Sequence, residues 1–326
     1  MSGIRDKFKR AGGMRTLEQY AGAHVLGYAV MQTALQGLSQ KSLEIVRLSV
    51  NNKLLGRLRR KYRAYIGEYL QREKEKLPKE RVGSDNVWVL WLDGIENAPK
   101  VVQVCFESVQ RCFPDKKIRL LTEENYRDYV TFPDFIQEKI DSGVITKTHM
   151  SDLLRLELLI RYGGIWLDAT VLCSSPEVPS YMTDSDLFLF QDLKPGRDGH
   201  CQRISSWMIA ARTNHPILRL TRALLYEYWK KNRKMDDYFL FHDFFELAIE
   251  TYPEEWNKVI PCSNSAPHIL LLRLFEPYNE QVWDAAKSMT PFHKLTYKFD
   301  AEKAQIPGTY YKVLLEPARE DGGDAV

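Results

Sequence analysis

Residues 149–172, His-Met-Ser-Asp-Leu-Leu-Arg-Leu-Glu-Leu-Leu-Ile-Arg-Tyr-Gly-Gly-Ile-Trp-Leu-Asp-Ala-Thr-Val-Leu, concentrate side chains that could do chemistry. Asp152 and Arg155 are spaced to share one helix face, where a carboxylate and a guanidinium fork can hold a polar ligand in a fixed pose. Asp168 ends the apolar run Ile165-Trp166-Leu167 directly after Gly163-Gly164. A carboxylate in that place reaches the carboxyl edge of a strand, where open α/β sheets bind ligands. The ordinary alternative for Asp152 and Arg155 is an ion pair on a solvated helix face. The strand that follows argues against it, because a charged residue closing an apolar strand is poorly placed for packing and well placed for binding.

The elements that must position these residues can be read from period and punctuation. The spacing predicts a helix over 151–162, with Ser151 as N-cap, Leu153, Leu154, Leu156, Leu158 and Leu159 as a broad apolar face, and Gly163-Gly164 as the stop. Ile165–Leu167 reads as a buried strand. Upstream, Val87–Trp91 is a strand, Val101–Arg111 a helix and Lys117–Leu121 a second strand, an order that opens a nucleotide-binding α/β unit. Phe135–Ser142, 216–232 and 236–250 read as helices, and Leu187–Phe190 and Ser206–Ala211 as further strands. The polar, turn-rich segment Lys74–Ser84 separates this domain from what precedes it. The expected organisation is an N-terminal arm over 1–83, an α/β domain over 84–315 and a frayed tail over 316–326.

Composition narrows the class. The chain has 326 residues, 44% hydrophobic and 27% charged, which suits a globular domain with an appendage and not a disordered chain. Its five cysteines are odd in number and show no C-x-x-C, so neither a disulfide framework nor a zinc site is expected. Residues 1–20 lack the apolar core of a signal peptide, and no stretch reads as a membrane span, so a cytoplasmic protein is expected. Charge divides the chain: residues 1–81 hold 18 Lys/Arg against 7 Asp/Glu, leaving 28 against 36 in the rest. Between Lys41 and Lys76, apolar residues and Tyr62, Tyr65 and Tyr69 recur at helical spacing opposite Arg57, Arg59, Arg60, Lys61 and Arg63. Such a helix either docks its stripe on the main domain or lies peripherally on an anionic membrane surface. Residues 21–38 read as one more helix. No motif for nucleic-acid recognition accompanies the basic arm.

The motif Ser-Asp-x-x-Arg followed by Tyr-Gly-Gly-Ile-x-x-Asp resembles the capsular polysaccharide synthesis glycosyltransferases, relatives of the D-x-D sugar-binding-region group. The resemblance extends to Trp88–Gly94, Ile204–Trp207, Tyr238–His242 and His293–Lys298, and so covers about residues 85–300. Motifs in this order within one chain are far more specific than any one alone. The resemblance implies a GT-A-like, Rossmann-type α/β domain with a mixed, mainly parallel sheet. It also implies transfer of a sugar from a nucleotide diphosphate sugar, a UDP-sugar above all, to a hydroxyl of a polysaccharide or lipid-linked glycan, with retained anomeric configuration.

Carried over residue by residue, it gives Trp91 as the platform for the base, Asp152 and Arg155 as holders of the donor sugar, and Asp168 as the first position of the D-x-D. The third position is Thr170, which departs from the family's carboxylate and weakens the site for a hard dication. Two outcomes are open. Mn²⁺ or Mg²⁺ binds through Asp168, His293 and phosphate oxygens, or protein cations neutralise the diphosphate, Lys298 ahead of Lys294. Ser205 and Ser206 would border the donor, and His242 is either an acceptor-orienting residue or a structural histidine. Rival classes are a decayed sugar-binding protein, which Thr170 makes conceivable, and a glycoside hydrolase. The latter would set two acids about 5–9.5 Å apart and needs no base platform.

Overall fold

The computed structural model describes residues 13–75, 79–193, 201–235 and 237–316. Its strands are β1 (Asn86–Leu90), β2 (Lys117–Leu121), β3 (Gly164–Asp168), β4 (Val171–Cys173), β5 (Leu187–Gln191), β6 (Ile204–Ala211) and β7 (Phe292–Lys294). Five of them form the central sheet in the order β2-β1-β3-β6-β5, and β4 pairs with β7 in a separate ribbon. β1 is parallel to β2 and β3, while β6 runs antiparallel to both β3 and β5. One reversed strand in an otherwise parallel sheet is the mixed, mainly parallel α/β architecture expected from the sequence.

The helices that matter here are α1 (Gly13–Gly22), α2 (Leu26–Gln36), α3 (Gln40–Lys74), α4 (Lys100–Cys112), α5 (Asp134–Asp141), α6 (Lys147–Tyr162), α7 (Pro216–Lys231), α8 (Leu240–Thr251) and α9 (Glu280–Met289). Side chains alternate across a strand, and the two faces of the sheet fill two cores. Trp88, Trp166, Leu189 and Ile209 pack with Leu153 and Leu156 of α6, Leu224 of α7 and Phe244 of α8. Val87, Val89, Ile165, Leu167 and Phe188 pack instead with Val109 of α4 and Phe292 of β7. Asp168 therefore shares its face with Trp166 and points toward α6. Burying side chains of this size contributes about 1.5–3 kcal/mol each before ordering entropy is set against it.

Helix α6 begins earlier than its apolar period suggests. Thr146 is the N-cap and accepts a hydrogen bond from the His149 backbone N–H at 3.3 Å. Ser151, expected to cap the helix, lies inside it and donates to the Thr148 carbonyl at 2.6 Å. The difference has a simple cause: the first turn is polar and has no periodicity to read, and threonine caps nearly as well as serine. The stop is as expected. Gly163 and Gly164 have φ of 66° and 98°, and a Cβ on Gly164 would lie 2.2 Å from the Asn86 carbonyl oxygen, so only glycine lets β3 start against β1.

The helix expected over 21–38 is two helices, α1 and α2, which separate around His24 at φ 55°. The long basic helix is present as α3. Its stripe is covered in two parts: Val46, Val50 and Leu54 pack with Ala23, Val25 and Ala29, while Leu55 and Tyr62 join the main core, where the Tyr62 ring meets Phe244 edge-on at 4.9 Å. From Leu55 on, the stripe packs on the main domain. Ion pairs Arg59–Glu250 and Glu73–Arg219 tie the same helix to α8 and α7. No helix among the described residues is long and apolar enough to cross a membrane. No disulfide joins any of the five cysteines, and the expected frayed tail lies, from residue 317 on, outside the described residues.

Candidate active site

The parallel register pairs Leu90 with Asp168. Trp91, the residue after β1, and Asp168, the last of β3, consequently occupy the same carboxyl edge of the sheet. Asp168 is held from several directions. Trp166 Nε1 donates to its Oδ1 at 3.1 Å, Lys294 Nζ donates to its Oδ2 at 3.0 Å, and Arg155 Nη2 stands 3.7 Å from Oδ1. Burial pushes the Asp168 carboxyl up, but the Lys294 ammonium and the Arg155 guanidinium outweigh it and hold the group below its ordinary value. Asp168 is thus ionised at neutral pH. Lys294 Nζ also donates to Thr170 Oγ1 at 2.6 Å.

Arg155 comes from α6 and is fixed on every side. It donates to the carbonyls of Ser151 at 3.2 Å and Ser206 at 2.6 Å, and to Ser151 Oγ at 3.1 Å. Its guanidinium lies over the rings of Trp166 and Phe241, with centroids at 5.0 and 5.6 Å. Asp152 Oδ1 is 3.3 Å from Arg155 Nη2, as the i, i+3 spacing requires. On its other oxygen, Asp152 faces His149 Nδ1 at 3.3 Å, and His149 Nε2 accepts from Trp229 Nε1 at 2.9 Å. An indole can only donate. The neutral imidazole must then carry its proton on Nδ1 and donate it to Asp152, so a buried His–Trp pair orients this carboxylate.

At the Trp91 end, the Tyr297 ring meets the indole edge-on at 5.3 Å, and Lys298 Nζ lies over Tyr297 at 5.6 Å. Trp91 Nε1 is buried without a hydrogen-bond partner, an open donor at the place expected to receive a base. His242, on α8 next to Phe241, feels the charges of Asp152, Arg155 and Asp168. Burial is the main reason that its pKa falls to about 4, so it is neutral at neutral pH. Its Nδ1 also lacks a partner. A neutral imidazole with so low a pKa orients a hydroxyl better than it removes its proton.

The fold therefore gathers Asp152, Arg155, Asp168, Thr170 and Lys294 into one cluster. Ser206 joins through its backbone carbonyl, His242 lies close enough to feel the cluster's charges, and Trp91 stands at the same sheet edge against Tyr297, over which Lys298 lies. His293 is not part of the cluster. Neighbouring strand residues face opposite ways, and while Lys294 reaches Asp168, His293 is fully buried on the other side. There its Nε2 bonds Ser174 Oγ at 2.9 Å and its ring lies against Trp283 at 4.8 Å. Burial lowers its pKa to about 4. The residues at this edge do not fit the divalent ion that the resemblance implies. Thr170 brings no charge, Asp168 is engaged by Lys294, and no group of three or more His, Cys, Asp or Glu among the described residues could hold a metal ion.

Sequence reading missed His149, Trp166, Trp229, Phe241 and Tyr297. His149 had a usable signal, since it stands three residues before Asp152 just as Arg155 stands three after. Tyr297 lies inside the His293–Lys298 motif but carries no charge to draw notice. Trp229 reaches the site from a distant segment with nothing local to mark it, and Phe241, inside the Tyr238–His242 motif, carries no charge to draw notice.

A mainly parallel α/β sheet with an anionic, aromatic and cationic cluster at its carboxyl edge defines a protein built to hold a polar ligand there. Residues 35–314 match the family described as capsular polysaccharide synthesis protein, and the chain belongs to that family. Among curated proteins it is similar to the O-glycosyltransferase braB of Annulohypoxylon truncatum, 37% identical over 93 residues, 26% of this chain and 22% of that protein. It is similar as well to the O-glycosyltransferase PaGT of Phomopsis amygdali, 27% identical over 166 residues, 46% of this chain and 40% of that protein. The matches thus span less than half of these relatives. Among solved structures, the PaToxG glycosyltransferase aligns over 83% of this chain and 97% of its own, with 17% identity and a TM-score of 0.35.

Proposed function

We propose that this chain transfers a sugar from a nucleotide diphosphate sugar, a UDP-sugar first among them, to a hydroxyl acceptor. The observation that carries the reading is the convergence on one sheet edge of Trp91 with Tyr297, Asp152 with Arg155, and Asp168 with Lys294. Each part meets a separate need of glycosyl transfer. The indole offers a stacking face worth about 1–3 kcal/mol for a base and an unpaired N–H. Asp152 and Arg155, locked by His149, Ser206 and two aromatic rings, present fixed acceptors and donors to sugar hydroxyls. Lys294 and Lys298 supply positive charge for a diphosphate.

The capsular role comes from the family, and the oxygen acceptor is supported by the relatives named O-glycosyltransferases. A polysaccharide or lipid-linked glycan is the acceptor we favour, with retained configuration. Retention asks for no side-chain base if the departing diphosphate takes the acceptor proton, which suits a site whose nearby imidazole, His242, is so weakly basic. The test is release of nucleoside diphosphate from a panel of UDP- and GDP-sugars with glycan acceptors. The reading expects release from at least one donor and its loss in Asp168→Asn; a panel with no release, or an active variant, would overturn it.

A further inference from the structure

Thr170 stands where a D-x-D pattern places its second carboxylate, and in the fold its hydroxyl has a definite partner. Lys294 Nζ sits between the two motif positions, 3.0 Å from Asp168 Oδ2 and 2.6 Å from Thr170 Oγ1. Backbone pairing sets this placement. Val171 is the register partner of Lys294 in the β4–β7 ribbon, and the Leu295 N–H donates to the Thr170 carbonyl at 2.8 Å. A side chain carried on such a ladder is pre-positioned far better than one on a free loop. Charge also balances without a dication: Asp152 faces Arg155, and Asp168 faces Lys294. An aspartate at 170 would leave the cluster one negative charge in excess, whereas threonine does not. The histidine that the resemblance offers to complete a metal site, His293, is turned to the opposite face of β7.

We infer that Lys294 takes the place of the divalent cation, so that this chain binds a nucleoside diphosphate group and drives its departure with an ammonium fixed between Asp168 and Thr170. The inference rests on the nucleotide-sugar reading above. In the transfer step, the bond from the anomeric carbon to the β-phosphate oxygen breaks, and its electron pair stays on that oxygen. A bond forms from the acceptor oxygen to the same carbon, and the acceptor proton passes to the departing diphosphate. Negative charge grows on the diphosphate as the old bond lengthens. Lys294 meets it with N–H donors already in position, which is the arrangement that stabilises developing charge without reorganisation. Thr170 has a positioning role: its hydroxyl holds the ammonium without neutralising it.

The test uses the full chain, with UDP as the probe for calorimetry and Mn²⁺ alone as the probe for electron paramagnetic resonance. The wild type is expected to bind UDP with the same affinity, within about twofold, in EDTA and in excess Mn²⁺, and to show no protein-bound Mn²⁺ spectrum. Lys294→Ala should weaken UDP binding at least about tenfold in EDTA, and Lys294→Arg should keep most of it. The pair Lys294→Ala with Thr170→Asp should regain binding only when Mn²⁺ is added. Circular dichroism on each variant separates a lost contact from a lost fold, and Lys294→Arg keeps the charge should the alanine variant not fold. Mn²⁺ bound to the wild type and lost in Asp168→Asn, or UDP binding that requires Mn²⁺, would overturn the inference while leaving the glycosyltransferase reading intact. Absence of UDP and GDP binding under every condition would instead overturn both.

Discussion

The carboxyl edge of the sheet and the basic arm both hold dense charge, yet they use it in opposite ways. At the edge the central charged groups are wholly or partly buried and share partners: Arg155, 4% exposed, meets two carbonyls, a hydroxyl, two carboxylates and two rings. Along α3 most charges are exposed and meet few partners, as with Arg59 and Glu250 at 50% and 31% side-chain exposure. What holds the arm is apolar, the Tyr62 ring on Phe244 above all. Density of charge in a sequence therefore says little about function. Burial with convergent partners is the mark of a site, because a charge is removed from water at a cost of several kcal/mol only where fixed partners offset it.

The sharpest way to break this contrast is Asp168→Asn. It keeps the shape and removes the charge that Lys294 and Arg155 face, and transfer is expected to fall by about 10²–10³, the size seen when one electrostatic stabiliser is lost. Nucleoside diphosphate release measures it. Native circular dichroism together with undiminished transfer would place the chemistry elsewhere.

The arm should respond through stability and not through chemistry. Tyr62→Ala removes a buried ring from its docking face and is expected to cost about 3–5 kcal/mol in denaturant unfolding. A cost within error of zero would mean the arm is dispensable to the fold. Arg155→Lys, by contrast, keeps the charge but not the fork. It should lose about 1–3 kcal/mol of stability from carbonyls left unpaired and lower transfer in the same assay, an effect that no arm substitution should reproduce.

A pH series addresses the buried histidines. His215, His242 and His293 each have a folded-state pKa near 4 against 6.5 for the free side chain, with burial as the leading cause. The folded chain keeps them neutral, so between those values the unfolded chain binds more protons. Their contribution is complete above pH 6.5 and is lost as pH falls toward 4. Thermal midpoints that stay level across this window would contradict their burial as neutral groups. The smallest effect is assigned to Arg59→Ala, about 0.2–1 kcal/mol and weaker in high salt. A larger loss would show that the arm depends on its ion pairs after all.

Much of the fold could be read in advance where local pattern and tertiary packing agree. The apolar runs of β1, β2, β3 and β5, the long basic helix and the double-glycine stop lie where expected. The errors fall where local pattern is silent or evenly divided. A polar first turn hid the true start of α6 at Thr146, and an uncharged stretch broken at His24 was read as one helix. Within the site, the residues legible in the sequence were those bound by helix spacing or strand ends, namely Asp152, Arg155, Asp168 and Trp91.

Chain order alone settled that a carboxylate would stand at a strand end after two glycines, that Asp152 and Arg155 would share a helix face, and that Thr170 would bring no charge. These follow from periodicities of 3.6 and 2 residues, which are properties of the backbone. The choice between the adjacent His293 and Lys294 was made by packing. Pairing of β7 with β4 fixed which of the two faces Asp168, and a register is set by contacts between segments more than a hundred residues apart. The same long-range packing brought Trp229 to His149 and Tyr297 to Trp91.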